Sequence, residues 1–341
     1  MRPLKIALVG IGLVGTEIVR VLKERNFPMS ELRVIATRER EEEIDGQTFQ
    51  VTTAAPERFR GIDLAFFAGT EGARGASREW GWLAVEQGAI VIDNGDDFRM
   101  DDRVPLVVPE INAEALRAHQ GFIANPNCST IQMVVALAPL HRAARIKRIV
   151  VSTYQAVSGT GKSAVDELIE QTVRTVRGEE PEPHVYPHPI AFNCLPHISS
   201  LKDEYPGYYG EEIKMIKETR KILGEPELKV SATCVRVPVF NGHSEAINVQ
   251  FERPISADEA REILSNAPGV FVLDKPAEAG YATPRFVSGK DEVFVSRIRQ
   301  DTSAENALDM WVVADNIRKG AALNAVQIAE KMIEMGLLPR S

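Results

Sequence analysis

The sequence predicts an α/β protein of two domains: a parallel, doubly wound sheet first, then an α+β unit with a mixed or antiparallel sheet. Three observations carry this. Strand-like and helix-like apolar patterns alternate through the first 127 residues. A glycine-rich turn separates the first strand from the first helix. Beyond residue 228 the strand patterns come as an antiparallel-looking set. A chain of 341 residues is too long for one ordinary core and fits two domains of typical size.

Lys5 to Val9 is the first strand, and Gly10-Ile11-Gly12-Leu13-Val14-Gly15 follows it at once. Val14, Ile18, Val21 and Leu22 then recur at helical spacing. Strand, glycine turn and helix are the context of a Rossmann-type dinucleotide-binding domain, in which Gly10, Gly12, Leu13 and Gly15 let a pyrophosphate reach backbone N–H groups at the helix start. The second strand, Leu32 to Thr37, ends without the acidic residue that grips a ribose 2'-hydroxyl. It reads Thr37-Arg38-Glu39-Arg40 instead, which favours NADP over NAD, with Arg38 and the Thr37 hydroxyl nearest the strand end. Further strands are expected at Ile62 to Ala68, Ala89 to Asp93 and Val104 to Val108, with a helix from Ala73 to Glu86. Arg99 follows the strand that ends at Asp93, where ligands bind in such sheets, so it is a candidate for an anion; a surface ion pair with Asp96, Asp97 or Asp101 is the alternative.

Asn125-Pro126-Asn127-Cys128-Ser129-Thr130 turns from the apolar Ile123-Ala124 into a helical run, Ile131 to Leu140, with Ser129 and Thr130 as caps. Cys128 therefore stands at a helix N-terminus, where unpaired N–H groups and the helix dipole favour thiolate. After it come a long strand, Ile146 to Tyr154, a small-residue turn from Gln155 to Lys162, and a helix from Ser163 to Val176. Strands are expected at Leu228 to Phe240, Ala246 to Phe251, Val270 to Leu273 and Val293 to Arg299. The last helix, Ile317 to Met335, is amphipathic and stops at Gly336 and Pro339. The expected domains are residues 1–127, completed by residues 317–341, and residues 128–316.

Composition narrows the partners. A net charge of -8 and the absence of a basic cluster argue against nucleic acid and anionic membranes, so any phosphate is carried by a small molecule. No apolar run approaches the roughly 20 residues of a membrane span, and the chain opens without a signal-peptide pattern, so a cytoplasmic protein is expected. Cys128, Cys194 and Cys234 show no paired or metal-type spacing, which points to free thiols. His184, His188 and His197 lack ligand spacing, and Pro187 and Pro189 forbid a helix that would align the first two, so no metal is expected.

Val235 to Val239 reads as a strand, and Asn241-Gly242-His243-Ser244 turns out of it. Arg236 can clamp a carboxylate in bidentate fashion, and His243 has the pKa range of an acid/base. With these the sequence resembles the bacterial aspartate-semialdehyde dehydrogenases. Asn125 to Thr130 matches that family's nucleophile motif, Tyr154 to Gly161 its YQAVSGxG segment, and Cys234 to Ser244 its CVRVPVxxGHS segment; Phe98-Arg99-Met100 and Val108-Pro109-Glu110 match landmarks of its first domain. The resemblance spans residues 4 to 335. It implies that Cys128 attacks L-aspartyl 4-phosphate, that phosphate leaves, and that NADPH reduces the thioacyl enzyme to L-aspartate 4-semialdehyde. Such a step serves lysine, threonine, methionine and diaminopimelate biosynthesis.

The resemblance further implies that His243 is the acid/base, Gln155 orients the substrate, Arg236 binds its α-carboxylate and Arg99 holds phosphate. Glu211 and Lys214 look like the pair that meets the substrate amino group and phosphate, although Glu218 and Lys221 repeat their spacing. Ser158, Gly159 and Asn316 resemble cofactor contacts, and a homodimer joined through the second domain is implied. The glycine loop departs from the family's GATGxVG by being one residue shorter, and Asp96 and Asp97 stand where the family has small residues. Two other readings are an N-acetyl-gamma-glutamyl-phosphate reductase-like enzyme, whose nucleophile motif reads NPGCYxT, and a catalytically silent dinucleotide-binding regulator, which would have lost Cys128 or His243.

Overall fold

A computed structural model of the chain describes residues 2–68 and 75–338. The chain forms two units, Met1–Asn127 with Ala321–Ser341, and Cys128–Gly320. It leaves the first unit immediately before Cys128 and returns immediately after Gly320.

The first unit carries strands β1 (Leu4–Val9), β2 (Met29–Ala36), β3 (Arg40–Ile44), β4 (Gln47–Thr53), β5 (Leu64–Phe67), β6 (Ile90–Asp93) and β7 (Phe122–Ala124), with helices α1 (Leu13–Glu24), α2 (Ala76–Glu86) and α3 (Pro109–Asn112). They form one sheet in the order β3-β4-β2-β1-β5-β6-β7, parallel except for the β3–β4 pair. Strands β1, β5, β6 and β7 are short and mostly apolar on both faces because helices cover both sides. Val19, Leu22, Val326 and Ala329 belong to its core, so the C-terminal helix (Leu323–Glu334) is part of this unit.

Three expectations are corrected here. The run Val104–Val108 is not a strand; it makes a single bridge, Leu106 to Ala124, because Pro105 has no N–H with which to continue a ladder. The β3–β4 hairpin was not anticipated, although its Asp45-Gly46 turn has both residues at positive φ (52° and 72°), as a type I' hairpin turn requires. Its glutamate run hid it: β3 is an edge strand whose charged side chains face solvent. The helix expected from Ala73 begins at Ala76 among the described residues, and its first two expected positions lie outside them.

The second unit holds α4 (Cys128–Ala144), β8 (Ile146–Gln155), α5 (Lys162–Val176), α6 (Gly210–Leu223), β9 (Lys229–Arg236), β10 (His243–Phe251), α7 (Ala257–Ser265), β11 (Val270–Val272), α8 (Pro284–Val287), β12 (Val293–Gln300) and β13 (Ala307–Ala314). Its sheet runs β11-β12-β13-β10-β8-β9 and is mixed, with parallel pairs at β8–β9 and β11–β12. Strand β13 was missed: Ala-Leu-Asp-Met-Trp-Val-Val-Ala alternates poorly, since it lies in the middle of the sheet. The strand expected to reach Phe240 stops at Arg236, two residues ahead of Pro238.

Helices α4, α6 and α7 cover one face of this sheet. Alternate residues His243, Glu245, Ile247, Val249 and Phe251 of β10 are buried on that side, and Ala246 and Asn248 face the other way. The opposite face is half exposed, and Tyr154 lies against Trp311 on it, ring centroids 5.4 Å apart. The expected single helix from Ile317 is also corrected. Arg318–Ala322 is a π turn, and the α-helix begins only at Leu323. Asp315 explains the break: its Oδ1 accepts from the N–H groups of Ile317 and Arg318, and its carbonyl accepts from Gly320 N.

Candidate functional site

Cys128 is the first residue of α4, so the helix starts one turn earlier than expected; Ser129 and Thr130 are fully buried inside the first turn rather than capping it from outside. Cys128 itself is partly accessible. A sulfur there meets the positive end of the dipole of a 17-residue helix, which favours thiolate and stabilises an oxyanion formed beside it.

Gly320, in the π turn, packs directly on this cysteine. A Cβ at Gly320 would stand 2.9 Å from Cys128 Cβ and 3.6 Å from Asn316 Cβ, so no side chain fits without moving one of them. Asn316 is in turn fixed from two sides: its Oδ1 accepts from Gly242 N (2.8 Å) and its Nδ2 donates to Ser158 Oγ (2.9 Å). Ser158 and Asn316 thus form one buried pair, and Gly159 follows it. A Cβ at Gly159 would meet Arg236 Nη1 at 3.0 Å and the His243 ring at 3.3 Å.

The sheet then supplies a row of polar side chains facing the helices. Thr153 and Gln155 come from β8, Cys234 and Arg236 from β9, and His243 and Glu245 from β10. His243 is the first residue of its strand and wholly buried, where a turn residue had been expected. Its Nδ1 accepts a hydrogen bond from Ala156 N at 3.0 Å. A backbone N–H cannot reverse, so the neutral ring carries its proton on Nε2. Burial first, and the Arg236 guanidinium second, push the imidazole well below its ordinary pKa and keep it neutral.

Gln155 is held at both ends of its amide. Thr153 Oγ1 donates to Gln155 Oε1 (2.9 Å), and Gln155 Nε2 donates to Glu211 Oε1 (3.0 Å) while lying 3.5 Å from His243 Nε2. Glu211 in turn faces Lys214 at 3.8 Å, one turn along α6. Of the two glutamate–lysine pairs with this spacing, Glu211–Lys214 is the one bonded to Gln155. Arg236 is 5% exposed; its Nη1 donates to Ala156 O (2.7 Å), and its Nε has no hydrogen-bond partner among the described residues. Such a guanidinium retains donors for an incoming carboxylate.

In the first unit the glycine loop has the shape a dinucleotide needs. Gly10 sits at φ 96°, and a Cβ on Gly15 would lie 2.1 Å from Gly10 O. Gly12 caps α1 with no side chain and nothing within 4 Å of a Cβ there, so backbone at the helix start is open to an anion beside the half-exposed Leu13. The residues present therefore fit a pyrophosphate. Thr37 and Arg38 are exposed immediately beyond β2. Arg40 is drawn into the hairpin by Glu42 (2.6 Å), whereas no hydrogen bond or ion pair holds the Arg38 side chain among the described residues.

Arg99 is buried to 4% exposure, and its Nη2 donates to Asn94 O at 2.7 Å. Burial raises the neighbouring Asp93 to about 6, against the opposing pull of Gly95 N–H, Ser77 and Arg99. Asp97 faces Arg78 at 3.1 Å. Sequence reasoning missed Thr153, Asp315, Gly320 and Glu245, which hold or border these groups. A glycine inside an otherwise helical pattern was the available signal for Gly320, and a glutamate alternating with apolar residues on a strand was the signal for Glu245.

Known proteins match this chain in both of its units. The family model for the semialdehyde dehydrogenase NAD-binding domain matches residues 5–119, and that for the semialdehyde dehydrogenase dimerisation domain matches residues 137–319. The aspartate-semialdehyde dehydrogenase of Aquifex aeolicus is 51% identical over 98% of this chain and 99% of its own, and that of Bacillus subtilis is 44% identical over 99% of each. Among solved structures, aspartate semialdehyde dehydrogenase II of Vibrio cholerae superposes with a TM-score of 0.92 at 43% identity, covering 98% of this chain and 99% of that one. The Candida albicans enzyme, solved with NADP, gives a TM-score of 0.73 at 27% identity over 97% and 98% of the two chains. The chain belongs to the aspartate-semialdehyde dehydrogenase family.

Proposed function

We propose that this protein converts L-aspartyl 4-phosphate to L-aspartate 4-semialdehyde with NADPH, releasing phosphate, by way of a thioacyl group on Cys128. The observation that carries the reading is the joining of a helix-heading thiol, through Gly320, Asn316, Ser158 and Gly159, to the buried His243–Arg236 pair. Cys128 attacks the acyl carbon as thiolate; its bond to that carbon forms as the carbon–oxygen bond to phosphate breaks. NADPH, when bound, supplies the hydride. His243 presents Nε2–H to the substrate oxygen, where a neutral imidazole stabilises developing negative charge and serves as the acid. When the hemithioacetal collapses, its hydroxyl proton returns to His243 Nε2, the carbonyl re-forms and Cys128 departs as the thiolate that the helix terminus favours.

Arg236 clamps the α-carboxylate, the Glu211–Lys214 pair meets the amino group and phosphate, Gln155 orients the reacting carbonyl, and Arg99 binds phosphate. Gly10, Gly12, Leu13 and Gly15 hold the pyrophosphate, Thr37 and Arg38 the 2'-phosphate of NADP, and Ser158, Gly159 and Asn316 the nicotinamide end. The homologous Vibrio cholerae structure complexed with ASA supports the substrate class. A homodimer through the half-exposed sheet face fits the dimerisation-domain match. Three free cysteines fit a cytoplasmic location.

The test is an absorbance assay with aspartate semialdehyde, NADP and phosphate. Phosphate-dependent formation of NADPH is expected; none with this substrate, but turnover of the N-acetylglutamyl analogue, would replace the reading.

A further inference from the structure

One titratable side chain in the second unit has no part in the chemistry above. Glu245 is 0% exposed, two residues along β10 from His243 and on the same face. Gln132 is 1% exposed and one turn along α4 from Cys128. The Gln132 amide faces the Glu245 carboxyl, and Gln132 Nε2 donates to the carbonyl of His243 (3.4 Å). This leaves three buried oxygens, Gln132 Oε1 and both of Glu245, with no hydrogen-bond partner among the described residues.

Among the described residues, none of the neighbours on this face supplies a donor to these oxygens. Thr153, directly opposite Glu245 in the β8–β10 ladder, gives its hydroxyl to Gln155. Cys234 points its thiol at Met215 Sδ (3.6 Å), and Arg236 gives Nη1 to the Ala156 carbonyl. His243 turns its ring toward Ala156 N and Gln155, and Glu211 and Glu212 on α6 bring only negative charge. An ionised carboxylate so enclosed would have only the Gln132 amide to set against the cost of a buried charge, and burial outweighs it. One proton on Glu245 resolves the whole set, because the acid then donates to the amide oxygen.

We propose that Glu245 is held as the neutral carboxylic acid, donates its proton to Gln132 Oε1, and is a positioning residue that ties the strand bearing His243 to the helix headed by Cys128. The tie is continuous: Glu245 O–H to Gln132 Oε1, then Gln132 Nε2 to His243 O. It fixes the depth of α4 over β10 one layer beneath the reacting groups. The inference rests on the catalytic reading above for what is being positioned, and its first test does not depend on turnover.

The Glu245→Gln variant keeps the shape and replaces the O–H donor with an N–H donor. An infrared difference spectrum of unmutated protein minus Glu245→Gln at pH 7 should show a protonated-carboxyl carbonyl band. A carboxylate band in its place overturns the proposal, whatever the activity. In steady-state assays Glu245→Gln should retain kcat within about threefold, and Glu245→Leu or Gln132→Leu should lose kcat by about tenfold or more with KM little changed. Iodoacetamide alkylation of Cys128 should follow the same order, which a loss of folded protein alone would not produce once rates are scaled to folded enzyme. If Glu245→Leu fails to fold, Gln132→Leu carries this comparison. A Glu245→Gln variant as impaired as either leucine variant means that the ionised form is needed, and rejects the assignment.

Discussion

The coenzyme loop of the first unit and the thiol-bearing face of the second are built on opposite principles. Around Gly10 to Gly15 the chain offers backbone and open space: Gly12 is exposed, and Thr37 and Arg38 reach solvent at the strand end. Around His243 nearly every group is a buried side chain held by another, from Thr153 through Gln155 to Glu211, and from Asn316 to Ser158. Recognition by exposed groups is modular, because each contact acts almost alone. A locked polar row is not, since removing one member leaves a buried partner unsatisfied. Changes in the second region should therefore spread, and changes in the first should stay local.

Substitutions of graded severity test that contrast. Cys128→Ser should lower turnover by on the order of 10³-fold or more while leaving coenzyme binding intact, because serine provides no accessible anion at neutral pH. Steady-state kinetics with fluorescence titration of NADPH checks it, and substantial residual activity would take Cys128 out of the mechanism. Gly320→Ala comes next. Its methyl would sit 2.9 Å from Cys128 Cβ, and displacing a nucleophile by about 1 Å costs on the order of 10²-fold. The loss should appear in kcat and in the alkylation rate; an unchanged pair would show that the π turn yields freely.

Arg236→Lys replaces a planar fork with a point charge and should raise KM about 10- to 100-fold with a smaller effect on kcat. A loss confined to kcat would assign Arg236 to the chemical step instead. The smallest effect is expected in the open region. Arg38→Ala should weaken NADP by about tenfold and leave NAD nearly unchanged. Measuring kcat/KM with each coenzyme decides it: an unaltered ratio moves the contact to Arg40, despite its pairing with Glu42, and a collapse of both values would show that the coenzyme region is less modular than its exposure implies.

pH separates two buried groups of the locked row by sign. His243 has a folded-state pKa below its ordinary 6.5, so the unfolded chain takes up a proton first and stability falls as pH drops below about 6.5. Burial raises Glu245 well above its ordinary 4.5, so it contributes stability that is complete below that pH and declines as pH rises toward its folded-state value. Chemical denaturation of Glu245→Gln should show a stability gain over the unmutated protein that grows from pH 5 to pH 8. A difference independent of pH would contradict a protonated Glu245.

Much of the site was legible because its signals are local. Cys128 at a turn before an apolar helical run, the glycine loop after the first strand, and Arg236 and His243 flanking a short turn are each readable within about ten residues. What escaped depends on partners far along the chain. Gly320 matters through Cys128, 192 positions earlier in the sequence. Glu245 matters through Gln132, and Gln155 discriminates Glu211 from Glu218 only because α6 presents that turn to it. Strand β13 was hidden for the same reason, since a strand enclosed by neighbours need not alternate.

The sequence by itself determined the doubly wound first domain, the position of Cys128 at a helix start, and the nearness of Arg236 and His243, proposed here as anion clamp and acid/base, in one short segment. Periodicity, turn chemistry and helix dipoles are short-range properties, and they act before any tertiary contact forms. Only the tertiary structure decided which glutamate joins Gln155, which ring nitrogen of His243 keeps the proton, and why Gly320 and Glu245 matter. Those outcomes depend on hydrogen-bond donors and acceptors being counted inside a closed volume, and the volume exists only once distant strands and helices have packed around it.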